Sequence, residues 1–215
     1  MFKAFISQKN ENVKDAYLLI LTLALGIFTS IYFFPGCTSP DSDFQWSQAM
    51  NAERPTNWHP PITVYLMRIS HFISGGWGAL FVFHNVIYWL GIYLASNYFL
   101  KRNWQKLIVI LFMGFFPPTF MWLIHLSIDG SLVATFAMAT GLLLNYQKSK
   151  KVRGLYFAII FIIYGIAVRH NAIFSGLALL FLNIRLLFQH YESKKSFLKI
   201  YSLASIWVIV FVMFI

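Results

Sequence analysis

The stretch YLLILTLALGIFTSIYFF, from Tyr17 to Phe34, is a run of 18 residues without a single charge. A helix of roughly 20 apolar residues crosses the hydrocarbon layer of a bilayer. The residues that follow, PGCTSPD, lack the small-residue pattern at which a signal peptide is cleaved. We therefore expect this first span to be retained, with residues 1–16 forming a cytoplasmic N-terminus.

Long apolar runs of this kind recur along the whole chain. Of its 215 residues, 59% are hydrophobic and only 11% are charged, which excludes an ordinary soluble domain. Adjacent prolines at 117 and 118 remove backbone donors and are expected to break the helix that contains them. After the first span, the predicted spans are residues 77–100, 107–126, 132–146, 155–168, 172–188 and 200–215.

A shorter segment separates the first two spans. Ile62–Ser74 (ITVYLMRISHFIS) is amphipathic and predicts a short helix near the membrane interface. The predicted fold is therefore all-α. We expect a polytopic integral membrane protein, a single membrane domain over residues 1–215, with about seven transmembrane helices plus this interfacial helix.

Lysine and arginine are distributed unevenly between the predicted loops. With the N-terminus inside, 14 of the 17 basic residues fall on the inner side, and only Arg54, Arg68 and Arg169 fall outside. Short cytoplasmic loops of membrane proteins are rich in Lys and Arg, which sets their orientation. The net charge of +10 is explained in this way and does not indicate a nucleic-acid partner.

The first outer segment, residues 35–61, is predicted to be an outward-facing polar loop. In its stretch SPDSDFQWSQAMNAERPTNWHPP, the neighbouring carboxylates Asp41 and Asp43 could bind a divalent cation or act as a general base. The alternative is a solvated loop in which the acids only keep the segment outside. His59 could contact a metal or a phosphate, transfer a proton, or lie in an ordinary interfacial turn.

Two further polar clusters are predicted on the same side. Asp129, in HLSIDG, could line a site, pair with Arg169 or Arg68, or cap the start of the next span. The cluster Arg169-His170-Asn171 interrupts two apolar runs. An outward arginine indicates an anionic partner, and phosphate suits its bidentate geometry, although an ion pair with Asp129 explains it equally well.

Isolated polar residues within the spans have a simpler interpretation. His84, Asn85 and His125 lie in or near predicted spans. Side chains of this type more often form hydrogen bonds between packed helices than bind a ligand. We therefore expect them to stabilise helix packing.

The ordered set of outer polar clusters resembles the motifs of a known family. PDSDFQWSQA resembles the D-S-x-x-Q segment, NWHPP the W/H-H-P-P segment, SIDG the K-D segment and VRHNAI the R-H-N-A segment of bacterial multi-pass membrane glycosyltransferases. These enzymes have the all-helical C-type fold and are related to the protein O-mannosyltransferase and aminoarabinose transferase groups. The resemblance covers residues 17–188, and the four motifs occur in the family's order.

This resemblance implies an inverting enzyme at the outer face of the bacterial inner membrane. It would transfer a sugar from a polyprenyl-phosphate donor to a glycan, lipid or protein acceptor. Asp41 matches the family's catalytic acid, and a divalent cation sometimes assists such enzymes. Asp43 is not part of the family's motif; that it could hold Mg²⁺ or Mn²⁺ together with Asp41 is inferred only from its place beside Asp41 in the sequence. The residues expected to bind the donor phosphate or the substrate are Gln45, His59, Asp129, Arg169, His170 and Asn171.

The chain also departs from the family. Ile128 stands where the family has the lysine of its K-D motif, and members of the superfamily are usually longer than 215 residues. The chain could therefore be the core module of a longer parent or a non-catalytic remnant. A glycolipid or anion transporter, or a flippase subunit, is a further alternative.

Overall fold

The computed structural model describes residues 2–51, 56 and 59–191, with side chains from Val13 onward except that of Lys14. This part of the chain is helical, as predicted, and its only paired extended residues are Cys37 and His125. The predicted span at residues 200–215 lies outside the described residues. In chain order the helices are α1 (Phe2–Tyr32), α2 (Pro40–Met50), α3 (Ile62–Ser74), α4 (Gly78–Phe99), α5 (Asn103–Gly114), α6 (Pro117–Ile124), α7 (Ile128–Ser149), α8 (Arg153–Val168), a 3-10 turn (His170–Ala172) and α9 (Ile173–Tyr191).

The described residues contain four helices long and apolar enough to cross a membrane, so the predicted count of about seven is not confirmed. Those four cover Asp15–Tyr32, Gly78–Phe99, Ile128–Ser149 and His170–Tyr191. The bent pair α5 and α6 would make a fifth span. Helix α8, predicted as a span, has 16 residues and extends for about 24 Å, which is short of the ~30 Å hydrocarbon layer.

The predicted break at the adjacent prolines is confirmed. Helix α5 ends at Gly114, and α6 begins at Pro117 with its axis turned by 61°. The break frees the Met113 carbonyl, because Pro117 has no backbone N–H to donate to it, and the Tyr88 hydroxyl donates to this carbonyl at 2.8 Å instead. The Thr119 hydroxyl donates at 3.1 Å to the Phe116 carbonyl, which also accepts the Phe120 backbone N–H at 2.8 Å. A substitute donor such as the Tyr88 hydroxyl is what allows a broken helix to persist at membrane depth.

Helices α4 and α7 form the centre of the bundle and lie unusually close together. A Cβ atom on Gly91 would lie 2.5 Å from the backbone carbon of Ala137, and one on Gly141 would lie 2.4 Å from the Gly91 carbonyl oxygen. Small residues allow membrane helices to approach each other closely, which strengthens their van der Waals contact. This contact fixes α7, and with it α8, relative to α4.

The bundle has two chemically distinct ends. At one end, here called the basic end, the turn after α4 holds Lys101 and Arg102, and the Lys148 ammonium of α7 donates to the Asn97 carbonyl at 3.0 Å. Nearby, the buried Lys106 ammonium pairs with Asp15 at 2.6 Å and ties α5 to α1. The opposite end contains the junctions between α1 and α2, α3 and α4, α6 and α7, and α8 and α9. It is called the site end below.

Candidate functional site

The predicted polar loop, residues 35–61, contains the helix α2, which the sequence analysis did not predict. Ser39 caps helix α2, because the Ser42 backbone N–H donates to its hydroxyl at 3.4 Å, and Pro40 occupies the first turn. Asp41 and Asp43 also lie in that first turn, where the positive end of the helix dipole favours carboxylates. Asp41 is therefore presented from a helix terminus rather than from a flexible loop.

Two sets of hydrogen bonds fasten α2 to the start of α7. The backbone N–H of Cys37 donates to the Ile124 carbonyl at 2.9 Å, and the Leu126 N–H donates to the Cys37 carbonyl at 2.7 Å. The Ser42 hydroxyl also donates to the Leu126 carbonyl. These contacts place the first turn of α2 beside the first turn of α7.

Asp41 lies next to His59. The His59 Nε2 atom is 3.6 Å from Asp41 Oδ1, with the histidine side chain 16% exposed and the aspartate side chain 65% exposed. This distance permits an ion pair when the imidazole is protonated. The well-exposed carboxylate remains able to accept a proton from another molecule.

Asp129 is not the cap of α7, which corrects one of the alternatives drawn from the sequence. Ser127 is the cap, because its hydroxyl accepts the Gly130 backbone N–H at 3.0 Å. Asp129 lies in the first turn and forms an ion pair with Arg169. Both side chains are partly exposed, the arginine at 41% and the aspartate at 29%.

The alternative partner, Arg68, has a different role. Its guanidinium donates to the backbone carbonyls of Gln48 and Ala49, each at 3.1 Å, at the last turn of α2. A cation in this position satisfies carbonyls that the helix itself leaves unpaired. Arg68 therefore fixes the far end of α2, which helps to hold Asp41 at the near end.

A cavity of about 390 Å³ opens at the site end between these elements. It combines carboxylates, a guanidinium and imidazoles with the apolar surfaces of Trp122, Ile128 and Val168. Six of the residues predicted from sequence line it: Asp41, His59, Asp129, Arg169, His170 and Asn171. Residues from four separate segments of the chain therefore meet in one cavity.

Two predicted residues do not line this cavity. Gln45 is 1% exposed on the inner side of α2, and its amide nitrogen has no partner within the described region. Asp43 is exposed to solvent. Residues two apart in a helix do not face each other, so Asp41 and Asp43 point in different directions.

The structure adds residues that were not among those predicted for the site. Ser39, Pro60 and Trp122 also line the cavity. The Ser-Pro-Asp-Ser order is a recognisable helix start and could have indicated Ser39. Nothing local in the sequence distinguishes Trp122 from the other aromatic residues of the spans.

Inside the bundle, His84 has the packing role predicted for it. Its Nε2 atom lies 2.6 Å from the Tyr164 hydroxyl, and its Nδ1 atom lies 3.4 Å from the Ser131 hydroxyl. Asn85 donates to the carbonyls of Phe81 and Leu123, both at 3.2 Å. These hydrogen bonds join α4 to α6, α7 and α8 beneath the cavity.

No protein-family model, curated protein or solved structure matches the chain. The function is therefore argued from the site itself.

Proposed function

We propose that this chain is an integral-membrane glycosyltransferase. It would transfer a sugar from a polyprenyl-phosphate donor to a glycan, lipid or protein acceptor at the outer face of the bacterial inner membrane. The observation behind this proposal is that six polar residues from four motif segments line one cavity at one end of an apolar bundle. A lipid-linked sugar has the matching form, with a polar head at the membrane surface and an apolar tail within it.

Arg169 is the proposed contact for the donor phosphate. A guanidinium has five N–H donors, so the ion pair with Asp129 leaves donors for a second anion. Its partial exposure in the cavity lets a phosphate reach it. Asp129 then holds the guanidinium in place, and the adjacent His170 and Asn171 supply further polar contacts to the sugar phosphate.

Asp41 is the proposed general base. The acceptor hydroxyl attacks the anomeric carbon, a new C–O bond forms there, and the bond from that carbon to the phosphate oxygen breaks. The phosphate leaves with the electron pair, and the hydroxyl proton passes to the Asp41 carboxylate. Attack opposite the departing phosphate inverts the configuration. Correctly placed general bases contribute about 10²–10⁴-fold to such reactions.

The geometry does not favour a cation shared by Asp41 and Asp43. Asp43 lies outside the cavity lining, and the described residues contain no group of three or more His, Cys, Asp or Glu side chains that could hold a metal ion. The proposed reaction therefore takes no step through a metal. His59, which approaches Asp41 at 3.6 Å, is instead proposed to orient the carboxylate.

The experiment compares Asp41→Asn with Asp43→Asn, two isosteric changes in the same helical turn. Membranes containing the full chain are supplied with labelled polyprenyl-phosphate sugars, and release of the carrier phosphate is followed. We expect Asp41→Asn to lower the rate by about 10²-fold or more. Asp43→Asn should leave it within about twofold, because surface substitutions away from a site have small effects.

Two results would contradict the proposal. Equal rates for wild type and Asp41→Asn would remove Asp41 from the mechanism. Absence of release by wild type with every donor, together with transbilayer movement of a labelled glycolipid, would favour the flippase alternative instead.

A further inference from the structure

A second, apolar cavity of about 560 Å³ lies between α4, α5, α6 and α7, in the membrane-crossing part of the bundle. It shares no lining residue with the site cavity. Its walls are mainly aliphatic and aromatic. The side chains used in the argument below are Ala95, Phe99, Leu100, Val109 and Met113.

Three of the four side-chain hydroxyls in this groove already have partners within the fold; the fourth, that of Thr140, forms no hydrogen bond with the described residues. The Tyr88 hydroxyl donates to the Met113 carbonyl, the Thr119 hydroxyl to the Phe116 carbonyl, and the Ser96 hydroxyl to the Tyr93 carbonyl at 2.8 Å. A polar ligand would form few new hydrogen bonds here, whereas a hydrocarbon chain would break none. Along α4 the lining extends from Tyr88 to Leu100, a length of about 18 Å. An extended acyl chain fits this shape.

One end of the groove reaches the basic end of the bundle. Phe99 and Leu100 in its wall are followed directly by the exposed Lys101 and Arg102. The end of α7 contributes Lys148, which donates to the Asn97 carbonyl. The ends of α4 and α7 are also joined by the Tyr98 hydroxyl, which donates to the Gln147 side-chain carbonyl at 3.0 Å.

Further exposed cations, Lys150 and Lys151, lie in the turn after α7. Among the described residues the ion pairs are His59–Asp41, Lys106–Asp15 and Arg169–Asp129, so none of them involves a cation of the two basic turns. The mouth of the apolar groove is therefore next to cations that have no ion-pair partner among the described residues. Basic pockets between membrane helices are known to hold anionic lipid head groups.

We propose that this groove binds one anionic phospholipid from the leaflet at the basic end, with an acyl chain along α4 and the phosphate at Lys101 and Arg102. A polyprenyl-phosphate donor would instead carry its phosphate at the opposite, site end. The groove lies beside the break between α5 and α6, so the bound chain would contact both halves of the broken span.

The test uses the purified full chain in detergent after removal of bound lipid. Binding of phosphatidylglycerol and of phosphatidylcholine with the same acyl chains is measured by native mass spectrometry. We expect phosphatidylglycerol to bind more tightly by roughly tenfold or more, because each basic residue near a surface favours an anionic lipid. Lys101→Gln/Arg102→Gln should remove most of that preference, whereas Arg185→Gln, an exposed charge on α9, should not.

Ala95→Phe, which fills the groove, should weaken binding of both lipids. Ala178→Phe makes the same change on an exposed position of α9 and serves as its control. Val109→Phe provides a second groove-filling variant if Ala95→Phe fails to fold.

Four outcomes would overturn the proposal. The first is equal binding of the two phospholipids, and the second is phosphatidylglycerol binding that survives both groove-filling variants. The third outcome is a difference between two competitors, in which polyprenyl phosphate displaces the bound phosphatidylglycerol and an excess of shorter-chain phosphatidylglycerol does not. That outcome would assign the groove to the donor. Inorganic phosphate serves as the probe for the head group alone, and full competition by it would show an ion site without a lipid. No sugar donor is present, so these results do not depend on the proposed transferase activity.

Discussion

Arg169, the residue after α8, forms an ion pair with Asp129 in the first turn of α7. The pair joins two of the polar clusters of the sequence, and it is one of the alternatives that the sequence left open for both residues. It also gives the site a guanidinium whose orientation is fixed before any anion arrives. The two interpretations offered for Arg169, ion pair and phosphate contact, are therefore compatible in one geometry.

The first prediction concerns Arg169. Arg169→Ala should raise the KM for the polyprenyl-phosphate donor by roughly tenfold or more, because hydrogen bonds to a charged group are lost. Arg169→Lys keeps the charge but loses the bidentate fork of donors, so its KM should lie between those of wild type and Arg169→Ala. Steady-state carrier release over a range of donor concentrations checks this, with Arg185→Gln as the control. An unchanged KM in Arg169→Ala would exclude the phosphate contact.

The second prediction concerns orientation. Cys37, the chain's one cysteine, is exposed at the site end. In intact spheroplasts a membrane-impermeant maleimide should label it. A Cys37→Ser/Ser149→Cys variant moves the thiol to an exposed position at the basic end and should be labelled only after the membrane is permeabilised. The reverse pattern would show that the site end faces the cytoplasm and that the charge asymmetry was misinterpreted.

The third prediction concerns the hydrogen bond between His84 and Tyr164. Tyr164→Phe removes the hydroxyl that lies 2.6 Å from the buried imidazole and should destabilise the bundle by about 0.5–2 kcal/mol, as measured for interhelical hydrogen bonds. Tyr156→Phe, on the same helix, removes an exposed bond to Tyr191 and should have little effect. Thermal unfolding in detergent compares the two variants. Equal losses of stability in Tyr164→Phe and Tyr156→Phe would argue against a special role for His84.

The fourth prediction concerns the contact of α4 with α7. An alanine at Gly91 would place its Cβ atom 2.5 Å from the backbone of Ala137, so the helices would have to separate. Gly91→Ala should lower the free energy of unfolding by about 1–3 kcal/mol, as overpacking does in other protein interiors. Gly154→Ala is the matched control, since its Cβ atom would come no closer than 3.6 Å to a neighbouring atom. A Gly91→Ala variant as stable as Gly154→Ala would contradict the close packing.

Much of the fold could be predicted because it depends on local properties. The predicted short helix Ile62–Ser74 coincides with α3, and the broken helix at Pro117-Pro118 is present. The length of an apolar run, the spacing of an amphipathic helix and the effect of a proline on the backbone are all local properties of the sequence. No distant contact is needed to interpret them. The convergence of the polar clusters was also predicted, on the expectation that every second connection between the apolar helices lies at the same end of the bundle.

Local signals failed where two interpretations had similar local support. The acids at 41 and 43 were assigned to a loop, although Ser39 and Pro40 start a helix there. Asp129 was considered as a cap, but the neighbouring Ser127 accepts the backbone N–H. Arg68 was a possible partner for Asp129, but it binds the end of α2 instead. The outcomes for Asp129 and Arg68 depended on which competing partner lay nearer in space, whereas the start of α2 carried a local signal that was not used.

By itself, the sequence determined that the chain forms apolar helices, where one of them breaks, and which residues gather at one end. Only the tertiary structure decided that Asp41, rather than Asp43, enters the cavity, that Gln45 is buried behind it, and that Arg169 pairs with Asp129. The physical reason is that periodicity fixes the face of a residue relative to its own helix. The rotation and approach of one helix against another depend on long-range packing, such as the glycine contact between α4 and α7.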